Sequence, residues 1–193
     1  MATAQKLLPA SEARGAAGAD CASLDFRTVY QAWFRRVHRW VGALGGPFAD
    51  REDLTQEVFV VVQRNLPRFK GDNLPGWLYR ITERTVRDYR RRAWFRNIFL
   101  RPRDAVMEDI AAGETSEEAL ARKEEQQRFY RLVAAMNAKW RGSFVLFEID
   151  GHSGDEIAAM LGIPSATVRT HLHRARKEFL ELVAKEKAHA ALE

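Results

Sequence analysis

The chain has 193 residues, 46% of them hydrophobic, with a formal charge of +5 and a pI near 9.6. That length admits one large or two small soluble domains, and the basic balance favours a polyanionic partner. A single cysteine, Cys21, excludes a disulfide framework and a cysteine-rich zinc site and suits a reducing, cytoplasmic setting; no apolar run approaches the roughly 18 residues of a membrane span or forms a secretory leader.

Residues 1–22 are rich in Ala and Gly, lack periodicity and are expected to form a tail. From Asp25 the pattern changes. Phe26, Val29, Tyr30, Trp33, Val37, Trp40, Val41 and Leu44 recur at three and four, the mark of a helix with one buried face. "GGPFAD" (45–50) turns the chain, and a second helix follows in "DREDLTQEVFVVVQRNL". Asp50 is its expected N-cap, Glu52 and Asp53 complement its dipole, and Leu54, Val58, Val61, Val62 and Leu66 form its core stripe. "PRFKGDNLPG" (67–76) reads as a loop. A third helix is expected from about Leu74 to Arg92 with Trp77, Leu78, Ile81, Thr85 and Tyr89 inward. No segment sustains strand alternation, so the fold class is all-α.

The charge then changes sign. Residues 64–103 hold twelve Arg or Lys against three acids, whereas residues 104–127 hold eight acids against two bases. The acidic stretch has few large apolar residues and reads as a flexible linker, helical toward its end. A second periodic region starts near Gln126. The expected organisation is a tail (1–22), a helical domain (23–100), a linker (101–125), a second helical domain (126–187) and a short tail (188–193). A tether of about 25 residues reaches at most roughly 80 Å, enough for the domains to act at separated places on one partner.

In the second domain, Ser153-Gly154-Asp155-Glu156 has the spacing of a capping box. The helix it starts buries Ile157, Ala158, Met160 and Leu161, and Gly162 supplies the positive φ that ends it. Ile163-Pro164 makes the turn, Ser165 can cap the next helix, and that helix buries Val168, Leu172, Ala175 and Phe179. Helix, short Gly-containing turn and helix make a helix-turn-helix, whose second helix enters the DNA major groove with its first turns against base edges. Ala166, Thr167, Arg169, Thr170, His171, His173 and Arg174 lie on or near the uncovered side, while Arg176 and Lys177 are placed for phosphates. A solvated basic face on an ordinary C-terminal helix is the plainer reading of the same residues.

In the first domain, Arg80, Arg84, Arg87 and Arg91, spaced four, three and four, form a cationic stripe of the kind that neutralises phosphates; Arg90 and Arg92 widen it. Beside it lies "RFKGDNLPGW", with an aromatic at each end and Asn73 inside, a loop able to hold unstacked bases. Phe69 and Trp77 are equally readable as core residues.

"SATVRTHLHRARKEF" alone resembles both the bacterial sigma factors and the LuxR-type regulators. The first domain separates them: "DLTQEVF" (53–59), "RFKGDNLPGWLYRI" (68–81) and "TVRDYRRR" (85–92) resemble region 2 of the extracytoplasmic-function sigma factors of the sigma-70 family, and residues 126–184 resemble region 4. The resemblance covers roughly residues 25–184. It implies that Asp53, Gln56 and Glu57 meet the β′ clamp helices of core RNA polymerase, and that the β flap is a further contact. It also implies that Phe69, Asn73, Trp77 and the Arg stripe hold the opened −10 promoter element. Ser165, Thr167, Arg169, Thr170, His171, His173, Arg174, Arg176 and Lys177 would then meet the −35 element, and the acidic linker would lie in the RNA exit path. An anti-sigma factor is an expected partner. Without the resemblance, Asp53, Gln56 and Glu57 read as a capped, solvated helix start. The chain departs from the family at Arg84, often Asn, and at His171, often Arg; a histidine contact with an ordinary pKa near 6.5 could vary with pH. The rival function is a stand-alone helix-turn-helix regulator.

No catalytic group, cofactor motif, metal-ligand set or small-molecule substrate site emerges. The five histidines form no ligand cluster, and no phosphate-binding loop is present to drive strand opening by hydrolysis. Opening must draw on binding energy. "AWFRNIFLRPR" (93–103) mixes large apolar residues with Arg; it reads either as packing on its own domain or as a docking surface for an anti-sigma factor.

Overall fold

The computed structural model describes residues 25–46, 50–99 and 117–190. Every regular element among them is helical. Helix α1 (Phe26–Gly45) buries Val29, Trp33, Val37, Trp40, Val41 and Leu44, the face set by the three-and-four spacing. Tyr30 departs from that expectation. It is 38% exposed, with its ring centroid 4.7 Å from that of Phe59, and forms an aromatic group with Phe26 and Phe34 on the outer side of the helix.

Helix α2 (Arg51–Asn65) starts at Asp50, whose carboxylate accepts from the backbone N–H groups of Glu52 and Asp53 at 3.1 Å each. Leu54, Val58 and Val62 are buried as expected, but Val61 is only half-buried and lines a surface cleft; Phe59 and Thr55 are buried with the core stripe. Thr55 tolerates full burial because its hydroxyl donates to the Arg51 carbonyl at 2.6 Å and lies 3.3 Å from His38 Nδ1.

A single 3-10 turn (Leu66–Arg68) leads to helix α3 (Leu74–Phe99), which continues past Arg92 where the sequence pattern places its end. Asn73 caps it, with Oδ1 accepting from Gly76 N at 2.9 Å. Among the described side chains of α3, Leu78, Tyr79, Thr82, Thr85 and Val86 are buried, as is Gly76, while Trp77, Ile81 and Tyr89 are half-buried. The side chains of residues 94–103, and so the two readings of that segment, lie outside the described residues.

The second group comprises α4 (Glu117–Ala135), α5 (Ala138–Phe144), which runs on as one π-turn (Val145–Ile149), α6 (Gly154–Leu161) and α7 (Ser165–Ala190). Helix α4 begins at Glu117, inside the stretch read as linker, and α7 runs to Ala190, past the expected domain end. The capping box at Ser153 and Glu156 is complete in both directions, and Gly162 ends α6 at φ 67° and ψ 39°. Ser165 does not cap α7: it is the helix's first residue, and its hydroxyl donates to Asp155 at 2.8 Å.

Helices α1 to α3 and α4 to α7 each form a unit, yet the two units pack on each other, α1 against α4 and α3 against α6. One hydrophobic cluster runs through both, from Val29 to Ala175. Tyr79 of α3 is fully buried between them, edge-on to Trp40 with centroids 5.3 Å apart, and burial pushes its phenol well above the ordinary range. Arg39 of α1 donates to Asp150 at 2.6 Å, and Arg90 of α3 donates to the carbonyls of Leu44 (3.3 Å) and Ala134 (3.2 Å). Arg90 therefore joins the two units instead of widening the cationic stripe.

Candidate nucleic-acid interface

Three surfaces gather the residues singled out by the sequence. The first is the exposed face of α2. Asp53, Gln56 and Glu57 are all exposed and, at i, i+3 and i+4, share one side of the helix. The stripe continues one turn on into Val60, 43% exposed, which the sequence pattern alone does not mark as functional. Glu57 pairs with Arg92 at 2.9 Å, but both side chains are about half exposed, so the pair is readily exchanged for another cation.

The second surface is an open cleft of about 750 Å³ between α2, the 3-10 turn and α3. Its apolar wall is Phe69 and Trp77, with ring centroids 4.8 Å apart, backed by Val61 and Ile81. Its rim carries Arg68, Arg84, Arg91 and Arg92, with Glu57 and Asp88 beside them. Flat rings beneath several guanidinium groups suit a base on an aromatic wall with its phosphates held at the edge. Arg92 widens the stripe here as its sequence position implies, whereas Arg68 belongs to this rim although no spacing picks it out. The signal for Arg68 is three-dimensional, the convergence of the 3-10 turn and α3.

The stripe itself divides. Arg84 and Arg91 stand on the cleft side, whereas Arg80 lies beside Gly162 of the helix-turn-helix; all three, with Arg87, are exposed. Asn73 is also outside the cleft. Besides capping α3, its Nδ2 donates to the carbonyls of Ala159 (2.6 Å) and Met160 (3.4 Å) at the end of α6. The sequence-chosen set is thus brought together in part: Phe69, Trp77, Arg84 and Arg91 around the cleft, and Asn73 and Arg80 at its α6 side.

The third surface is the start of α7. Val168, Leu172 and Ala175 face the core, with Phe179 half-buried behind them. Arg169, Thr170, His173, Arg174 and Lys177 are exposed along the opposite side. Arg174 lies over the Trp140 ring, 5.8 Å from its centroid, and Arg176 is held by Glu148 at 2.8 Å. Ser165 and Thr167 are half-buried. His171 is half-buried too, with Nδ1 3.3 Å from the Ser143 hydroxyl. Burial, with Lys139 and Arg174 adding to it, holds its pKa below the ordinary histidine value. The imidazole is therefore neutral near pH 7, and the pH-variable contact considered for it moves to more acidic conditions.

Among the described residues no group of three or more His, Cys, Asp or Glu could hold a metal, and no helix is long and apolar enough to cross a membrane.

Comparison with known proteins bears on the same segments. The family model for sigma-70 region 2 matches residues 29–96, and that for sigma-70 region 4 matches residues 126–179. The ECF RNA polymerase sigma factor SigE of Mycolicibacterium smegmatis is 32% identical over 159 residues, covering 81% of this chain and 60% of the relative. The chain therefore spans less than two thirds of that relative's length. The ECF RNA polymerase sigma-E factor of Escherichia coli is 32% identical over 146 residues, covering 68% of this chain and 72% of the relative. Among solved structures, CnrH in complex with the cytosolic domain of CnrY gives a TM-score of 0.58 at 23% identity, covering 83% of this chain and 88% of that one. The sigma factor RpoE in complex with the anti-sigma factor NepR from Bartonella quintana gives 0.57 at 21%, covering 83% and 97%. These two likenesses establish a shared fold.

Proposed function

We propose, for a chain that belongs to the extracytoplasmic-function sigma factors of the sigma-70 family, that it joins core RNA polymerase in the cytoplasm and directs it to promoters. The protein is not an enzyme; it contributes binding energy and specificity to a reaction carried out by its partner. One observation carries this reading: two chemically different nucleic-acid surfaces stand on one chain. The cleft of Phe69, Trp77 and the guanidinium rim suits an unpaired strand, and the exposed start of α7 suits a duplex major groove. Asp53, Gln56, Glu57 and Val60 form a third face for the β′ clamp helices, which borders the cleft at Glu57. The β flap then holds the second unit so that α7 reaches the −35 element, while the cleft, Asn73 and Arg80 take the −10 strand.

Arg169 and Thr170 are the best-placed base readers, since both are exposed near the start of α7; Arg174 is partly engaged by Trp140, and Arg176 by Glu148. His171, against Ser143, supports the helix more than it reads DNA. An anti-sigma factor is the expected inhibitor, as in the RpoE–NepR complex whose fold this chain shares.

Run-off transcription with purified core polymerase, with and without the chain, tests the reading. Specific transcripts are expected only with it. Arg169→Ala is expected to reduce specific initiation by about 5- to 150-fold, the equivalent of one bidentate base contact at 1–3 kcal/mol, while core binding stays nearly unchanged. Failure to bind core polymerase overturns the assignment, and equal loss of core binding and initiation overturns the role of Arg169.

A further inference from the structure

Helices α5 and α7 meet along a polar seam that hydrophobic periodicity does not predict. His171, Arg174 and Glu178, spaced three and four, lie on one side of α7. They face Ser143, Trp140 and the α5 cap Asn137, so the two helices run antiparallel. Glu178 fixes one end of the seam. Its two carboxylate oxygens accept from the backbone N–H of Asn137 at 3.0 Å and 3.2 Å, and one of them also accepts from the indole N–H of Trp140. The half-buried Trp140 ring is thus anchored, and the Arg174 guanidinium lies over its face, 5.8 Å from the centroid. A guanidinium held by an aromatic face keeps its edge N–H donors for an anion.

Arg174 is exposed, and it stands about 40° round α7 from Thr170, between the base-reading side and α5. Lys139, also exposed, adjoins Trp140 at the start of α5. Burial, and after it the charges of Lys139 and Arg174, hold down the His171 pKa, which places both cations around that one ring. Among the described residues neither is paired with a carboxylate, whereas Arg176 of α7 is held by Glu148. The first N–H groups of α5 are already taken, that of Asn137 by Glu178 and that of Lys139 by the Asn137 side chain at 2.9 Å, so an anion here is met by side chains.

We propose that the start of α5 is a DNA-backbone contact in its own right, with Lys139 and Arg174 holding a phosphodiester of the strand that borders the −35 groove and Trp140 as the positioning residue that keeps Arg174 on that strand. The inference rests on the reading of α7 as the −35 duplex reader. Arg174 then serves the backbone rather than the bases, and Glu178 anchors the indole on which it rests. Such a contact fixes the register of α7 on the duplex and carries no sequence information.

Promoter binding by the holoenzyme, titrated with salt, tests this. Lys139→Ala is expected to remove about 0.9 from the slope of log affinity against log salt, the value for one phosphate contact on duplex DNA, and to leave the preference among −35 sequences unchanged. Trp140→Leu is expected to weaken binding about two- to fivefold, the strength of an exposed ring's hold on a guanidinium. That loss is expected to vanish when Arg174→Ala is already present, because the ring acts only through Arg174. Trp140→Phe, which keeps the face and lacks the N–H, is expected to lose less than Trp140→Leu. Circular dichroism establishes that the variants are folded, and the exposed Lys139 tests the contact by itself. An unchanged slope for Lys139→Ala overturns the proposal, and so does a changed −35 preference. A Trp140→Leu loss of equal size with and without Arg174 also overturns it, since that is the result of simple packing between α5 and α7. Arg169→Ala identifies which reading has failed. If it leaves the −35 preference intact, α7 is not the reader and this contact falls with that role; if it flattens the preference while the Lys139→Ala slope is unchanged, the backbone contact alone falls.

Discussion

Asp150 shows no side-chain exposure, and a carboxylate so placed needs cations around it. Arg39 reaches it at 2.6 Å from another helix, and His152 Nε2 stands 2.9 Å away on its other oxygen. Burial alone would raise the Asp150 carboxyl, but His152 and Arg39 outweigh it and hold the group below its ordinary value. The sign of the pH effect follows. An unfolded Asp titrates near about 3.9, so the cluster contributes fully above that value and its contribution is lost as pH falls through the lower folded-state value. Urea unfolding of the wild-type chain is expected to weaken more steeply below about pH 4 than that of Asp150→Asn, which has no carboxyl to protonate. At pH 7, Arg39→Ala is expected to cost about 1–3 kcal/mol, less than a fully buried pair because a third of Arg39 stays exposed and His152 remains. A loss indistinguishable from zero would show that Arg39 does not hold Asp150 in solution. Nothing in the sequence announces this pair, since its members are 111 residues apart and each sits in an unremarkable local pattern.

The elements divide by how local their causes are. The start of α6 is legible because both partners of the capping box lie within four residues, and its end because Gly162 alone supplies the left-handed turn. The buried face of α7 follows from periodicity in the same way. Helix α3 is harder to read. It is wrapped by α1 and α2 on one side and by α6 on another, so Tyr79 is buried where a one-sided helix would expose it. The start of α4 is only partly legible: the acidic, apolar-poor stretch reads as a linker helical toward its end, and its charge hides that the helix runs from Glu117. Local causes also give the plainest element-scale prediction. Helix α6 has only eight residues, so its cap is a large share of its stability. Ser153→Ala is expected to lower stability by about 1 kcal/mol in thermal or urea unfolding, with Ser153→Thr close to wild type. Equal losses in the two variants would show that the hydroxyl is not the cause.

At the scale of the whole molecule, the charge switch and the two periodic regions imply two units, and two units are present. What they do not imply is that the units share a core. Residues that close it, such as Trp40, Tyr79 and Val133, look like ordinary interior positions of their own units, because hydrophobic periodicity records that a face is covered and not by what. The two nucleic-acid surfaces then make different demands on a promoter. In the proposed reading, Arg84 and Arg91 on the cleft rim are assigned to phosphates, which carry position but no sequence, and Arg169 on α7 to base edges. Salt separates the two roles. In a holoenzyme–promoter complex, Arg84→Ala combined with Arg91→Ala is expected to weaken binding on all promoters alike. It also removes about 0.7 per phosphate contact from the slope of log affinity against log salt, the single-strand value. Arg169→Ala is expected to leave that slope nearly intact and to flatten the preference among −35 sequences. A titration of wild type and both variants on two promoters differing only at −35 contains every comparison needed. If the cleft pair altered sequence preference, or if Arg169 altered only the salt slope, the roles given to the two surfaces would be overturned.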